Sequence, residues 1–179
     1  FCALPCGAQE TVAIPNMEFQ VQNLAGLYGE EHIALRSELL RRPAAMGELE
    51  NVRKAARKWE IVLLCDALLF RLRNPETARL LDRYWRKPGT GAFGDPRGEA
   101  ELSATFDYPK IVLLCFGPEA FPIVAENLLF AGEKTYVRRD RIWGLVRMHD
   151  SRAADVLMFI AGNRDEQPSI RAHAVLGVE

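Results

Sequence analysis

The chain has 179 residues, 49% hydrophobic and 26% charged, which suits one domain with a sizeable core and excludes a disordered polymer. A formal net charge of -1 supplies no global field to attract nucleic acid or anionic lipid. No apolar run approaches the roughly 18 residues that cross a bilayer, and the longest, I-V-L-L-C-D-A-L-L-F, breaks at Asp66.

The first stretch, F-C-A-L-P-C-G-A (1–8), is apolar and uncharged, and Gln9 and Glu10 follow. Small residues Cys6 and Ala8 occupy the third-last and last places before Gln9, the pattern of a secretory cleavage site. Residues 1–8 therefore read either as the remnant of a leader, with the protein exported, or as an apolar arm on a cytoplasmic one. Residues 9–179 then form a single domain. C-x-x-x-C at Cys2 and Cys6 has no second pair and is a weak zinc signal. Cys65 and Cys115 each end an I-V-L-L-C pentapeptide. Their apolar settings point to inert buried thiols, with a bridge between them open to an exported protein.

The elements follow in chain order. Asn16 is a suitable N-cap for a helix from about Met17, with Phe19, Val21, Leu24, Leu27 and Tyr28 as its apolar stripe. A second helix is predicted from about Glu30 to Arg42, with Ile33, Leu35, Leu39 and Leu40 inward, and Pro43 stops it. A third starts near Met46, and its signal continues to Arg73 with a break expected near Trp59. Asn74-Pro75 opens the next helix, Asn as cap and Pro at the first position. Residues 87–108 are rich in Gly and Pro, lack periodicity and read as an insertion between helical units. Two hairpins complete the chain, about Glu119–Ala131 with Lys134–His149, then Ser151–Ala161 with Pro168–Val178. No period-two alternation occurs, so the chain is predicted to be all-α.

The hairpins echo one another. V-R-R-D-R-I-W-G-L (137–145) and I-R-A-H-A-V-L-G-V (170–178) match in register, with Arg138 and Arg171 33 residues apart. Each follows an apolar segment ending in Ala-Gly, at Gly132 and at Gly162. A fixed period of this size marks a helical repeat array, whose units share a continuous core by stacking. Small residues at Ala161, Gly162, Ala172, Ala174 and Gly177 are expected to let helices approach closely, and Trp143 and Leu176 hold equivalent packing positions.

On these residues the C-terminal third resembles the short bacterial HEAT repeats associated with phycobilisome lyases. The resemblance implies an α-α superhelix, a HEAT-like solenoid of helical hairpins. In that family an Asp in the turn lies six residues before the Arg of the second helix, as Asp165 does before Arg171. The resemblance thus implies a structural ladder of Asp165, Arg171 and Arg138. The preceding unit departs from the pattern, with Gly132 in place of the Asp and Arg141 in place of a small residue.

Chemical signatures are few. G-T-G-A-F-G (89–94) spells a dinucleotide fingerprint, but a helix precedes it and Asp95-Pro96 follows, so the required strand–turn–helix setting is missing. His149-Asp150 could orient a proton or hold a metal, although a His at a helix C-terminus also suits the dipole. No His-Glu dipeptide of the HEAT-like diiron hydroxylases is present, and nothing marks a bilin site, although bilin-lyase activity stays open through the resemblance. The sequence therefore predicts no catalytic residue, metal or cofactor. The expected function is a non-enzymatic scaffold for protein–protein interaction. The basic cluster at 134–147 is the strongest charge feature. Arg139, Arg141 and Arg147 are its expected contacts with a protein partner, an acidic one by charge. Nucleic-acid binding through the same cluster is the alternative.

Overall fold

The computed structural model describes residues 16–86, 117–130 and 135–178. The leader remnant at 1–8, the insertion at 87–108, the second I-V-L-L-C with Cys115, and Gly132 lie outside the described residues. Among these, every regular element is helical: α1 (Met17–Leu24), α2 (Gly29–Leu40), α3 (Ala45–Ala55), α4 (Trp59–Arg73), α5 (Pro75–Arg86), α6 (Phe121–Phe130), α7 (Thr135–Arg147), α8 (Ala153–Gly162) and α9 (Pro168–Val178). A 3-10 turn, Pro118–Ala120, leads into α6.

The local signals account for most boundaries. Asn16 caps α1, its Oδ1 accepting from the Phe19 N–H at 2.8 Å. The break expected near Trp59 falls at Ala56–Lys58, where the backbone is extended at Ala56 and Lys58. Asn74 acts differently from its expected role. Its side chain turns back to the Phe70 carbonyl and closes α4, while its own carbonyl receives the Ala78 N–H of α5. Pro75 needs no N–H there, so one residue serves both helix ends.

α4 and α6 form the centre. α4 packs against α1, α2, α3, α5 and α6, and α6 packs against α4, α5, α7 and α8. Every residue of α6 is buried, including Glu126 and Asn127. The large buried side chains Leu24, Leu39, Leu64, Leu68, Phe121 and Leu128 fill the space between these helices. The stripe on α1 differs from expectation: Met17, Gln20, Val21 and Leu24 face inward, and Phe19 and Tyr28 are exposed.

At the C-terminal end α9 packs on both α8 and α7. Trp143 meets the edge of His173, with ring centroids 6.0 Å apart. A Cβ added at Gly177 would lie 2.6 Å from Val146 Cγ2 and 3.3 Å from Leu157 Cδ1. The two contacts advance together along both helices, so α7 and α9 lie side by side and run the same way. Of the small residues expected at close approaches, Gly177 meets this description, whereas a Cβ at Gly162 would meet nothing within 4 Å and Ala172 is exposed.

Candidate functional site

Three adjoining clefts follow α4 from its first turn to its last. At the N-terminal end a cleft of about 480 Å³ opens among Ala56, Lys58, Ile61, Phe130 and Phe159. A second, of about 310 Å³, has an apolar floor of Val62, Leu63, Phe121 and Val156 and meets the first at Arg57. A third, of about 220 Å³, continues past Asp66 and Arg152 to Arg73 and Asn74. Trp59 meets Phe159 edge-on at 5.8 Å, joining α4 to α8 beside the first two clefts. A 15-residue helix is about 22 Å long at 1.5 Å per residue, and the three clefts, together called the groove, are spread along that length.

Several of the rim charges are fixed by neighbours. Arg53 on α3 pairs with Asp66 on α4 through its Nε and Nη2. Arg152 donates to both carboxylate oxygens of Asp150, at 2.9 and 2.7 Å, and to the Pro118 carbonyl at 3.0 Å. Its guanidinium also lies 4.4 Å from the centre of the Phe121 ring. These hydrogen bonds, opposed by partial burial, hold the Asp150 carboxyl below its ordinary range. Arg152 thus clamps the start of α6 to the start of α8 at the groove wall. Five cations line the clefts (Arg53, Arg57, Lys58, Arg73, Arg152) and five anions (Glu18, Glu60, Asp66, Glu119, Asp155), so the lining is neutral in sum.

A second polar constellation lies inside the molecule. Glu126 Oε1 is 2.8 Å from His32 Nε2 and 3.3 Å from Arg36 Nη1, and Arg71 Nη1 is 2.5 Å from Glu126 Oε2. Asp82 accepts from Arg36 at 3.2 Å and from Arg71 at 2.9 Å. His32 Nδ1 is 3.1 Å from the Leu24 carbonyl, and the ring stacks on Phe130 with centroids 4.9 Å apart. Both ring nitrogens face oxygens. A doubly protonated ring satisfies both, a neutral ring one. Burial opposes the charge on Glu126, but Arg71, Arg36 and then His32 outweigh it and hold the carboxyl far below its usual range. Residues of α2, α4, α5 and α6 are joined here, and none of the five ionisable members lines the three clefts.

The residues expected from sequence are placed as follows. Arg139 and Arg147 are exposed on α7, whereas Arg141 is buried and so presents little to a partner. Arg138 donates to the Leu128 carbonyl and to Glu166 Oε2, each at 2.6 Å. Asp165 is exposed, and its backbone N–H donates to Asn163. Arg171 is half-buried on α9, with its Nε buried and lacking a hydrogen bond. The tie between the hairpins runs through Glu166, one residue after Asp165, and Arg138. Asp150 is engaged by Arg152, and His149 is exposed at the end of α7 with φ of +52°. The Cys65 thiol is buried, and desolvation, reinforced by Asp66, pushes it up to about 12, which makes it a poor nucleophile.

Sequence reasoning missed both the groove and the buried cluster. The groove is made by helices remote in sequence. The cluster had a visible signal, since Glu126 interrupts the apolar run P-I-V-A-E-N-L-L-F and Arg71 follows A-L-L-F. A charge inside a run that must be buried calls for a partner. No protein-family model, no characterised protein and no solved structure matches this chain.

Proposed function

We propose that this chain is a non-enzymatic HEAT-like scaffold that holds a segment of a partner protein in the groove along α4. The repeat architecture is supported by the 33-residue echo and by the parallel side-by-side packing of α7 and α9, as stacked units of one kind would pack. The binding mode rests on one observation, the groove itself: an apolar floor bounded by charges of both signs in equal number. Apolar floors with a few placed polar groups suit a peptide segment. A phosphate backbone requires an excess of cations, which this lining lacks.

The chemistry-bearing residues favour the same reading. His32, Glu126, Arg36 and Arg71 are directed at one another inside the helix cluster, where they hold helices together. Arg139 and Arg147, exposed on α7, are the proposed contacts with an acidic partner beyond the groove.

The test is a selection from a random-peptide library, repeated with Val62→Arg, which places a charge on the groove floor. Peptides enriched by the wild-type chain should bind the variant at least about tenfold more weakly. Peptides indifferent to Val62→Arg would remove the groove from the proposal. Salt-dependent affinity for duplex DNA at physiological ionic strength would replace the protein partner with nucleic acid.

A further inference from the structure

The charges that line the middle cleft of the groove fall into two kinds. Asp66 and Arg152 are committed to the fold: Asp66 accepts from Arg53, and Arg152 is held by Asp150, the Pro118 carbonyl and the Phe121 ring. Arg57 and Asp155 line the same cleft, are exposed, and make no hydrogen bond or ion pair among the described residues. Both charges are therefore open to an occupant.

The two stand on opposite walls. α4 and α8 run in opposite directions past the cleft. Trp59 at the start of α4 meets Phe159 late in α8, while Asp66, further along α4, shares the second and third clefts with Arg152, just before α8. Arg57 precedes Trp59 at the boundary with the first cleft, and Asp155 lies in the first turn of α8. The remaining lining is apolar: Trp59, Val62, Leu63, Phe121 and Val156. At about 310 Å³ the space is at the small end of ligand pockets, roughly 300–1,000 Å³, which suits one large side chain. Trp59 is half-buried, so an incoming ring gains an aromatic neighbour as well as burial.

Taking the groove as the binding site, on which this inference rests, we propose that the middle cleft holds an aromatic anchor of the partner segment. An acidic residue on one side of the anchor pairs with Arg57, and a basic residue on the other pairs with Asp155. Anchors seated in a pocket carry most of the binding free energy of a contact. Exposed rim charges add little affinity and set which partners are accepted. The aromatic residue therefore decides strength, and the two flanks decide choice.

The experiment sequences the peptides that a random library yields on the full chain, on Arg57→Glu and on Asp155→Lys. Both positions are exposed, so each variant should keep the wild-type circular-dichroism spectrum. Wild-type peptides should share one aromatic residue with an acidic flank and a basic one, and alanine at that aromatic should weaken binding at least about tenfold. Arg57→Glu should keep the aromatic and select basic residues on both flanks, and Asp155→Lys should select acidic residues on both. Each variant should bind the wild-type peptides at least about twofold more weakly. Peptides that lose affinity on Val62→Arg yet share no aromatic residue, or whose flanking charges are the same on all three chains, overturn the anchor assignment and leave the groove standing. Peptides indifferent to Val62→Arg, or no enrichment at all, overturn both.

Discussion

His32 and Glu126 stand 94 positions apart in the chain and meet at 2.8 Å inside it. The contact joins α2 to α6 and belongs to a cluster completed by Arg36, Arg71 and Asp82. Pairs of this kind are replaceable by well-packed apolar groups, but they are costly to break from one side.

Glu126→Ala should therefore lower stability by about 3–5 kcal/mol, because Arg36 and Arg71 keep their charges and lose a buried partner. Glu126→Gln preserves shape and still removes the anion, so it should lie near that range rather than near zero. Urea denaturation followed by circular dichroism measures both. A loss below about 1 kcal/mol would mean that the cluster is hydrated and screened.

The same carboxylate sets a pH dependence. The groups facing it are His32 and Arg36 from α2 and Arg71 from α4, with Asp82 from α5 across the two arginines. Its folded pKa lies far below its unfolded value of about 4.3. Its contribution is thus fully present above that unfolded value and falls away as pH drops below it. Stability measured from pH 6 down to pH 2.5 should fall more steeply for the wild type than for Glu126→Gln. Equal slopes would assign acid sensitivity to other carboxylates.

Gly177 is where two helices come too close for a side chain. The atom that an added methyl meets first, Val146 Cγ2, belongs to a short branched side chain with little freedom to swing aside. Gly177→Ala gains about 1 kcal/mol of helix propensity but should lose more to overpacking, for a net cost of about 1–2 kcal/mol. Adding Val146→Ala should restore most of the loss. Thermal melts of the single and double variants give the coupling.

His149 ends α7 with a left-handed backbone at φ of +52°, although glycine is available to the chain at that geometry elsewhere, as Gly29 shows at +56°. His149→Gly should be neutral or stabilising by up to about 1 kcal/mol, since relief of the backbone is partly offset by a freer unfolded chain. His149→Val should be destabilising by about 1–2 kcal/mol. If His149→Gly instead cost as much as His149→Val, the imidazole would be making a contact of its own.

The helical elements were legible because their signals are local. Asn16, Pro43, Pro75 and the apolar spacing each act within a turn or two of the residue that bears them. The inward face of α2 was misread for the opposite reason. Ile33, Leu35, Leu39 and Leu40 were its expected inner set, but His32, Arg36 and Leu39 take the buried positions, with Leu35 and Leu40 half-buried. His32 and Arg36 are stable inside because their partner Glu126 lies 94 and 90 residues away, a distance at which no periodicity connects them. The basic stretch of α7 misled in a related way. Of its four arginines, Arg138, placed in the ladder by the resemblance, donates to a carbonyl and a glutamate, whereas Arg141, an expected partner contact, is buried in the core. The groove was illegible because its walls come from α1, α3, α4, α6 and α8, whose juxtaposition is a property of packing.

The position of Glu126 also bears on how the molecule comes apart. Arrays whose units touch nearest neighbours melt from their ends, one unit after another. Here one anion on the central helix is gripped from α2 and α4, and the same arginines grip α5 through Asp82. Releasing any one of these helices strands a charge in the others, so α2, α4, α5 and α6 should leave the native state as a single block. Amide protons of those four helices should then share one opening free energy in hydrogen exchange, while α8 and α9, outside that grip, open earlier and on their own.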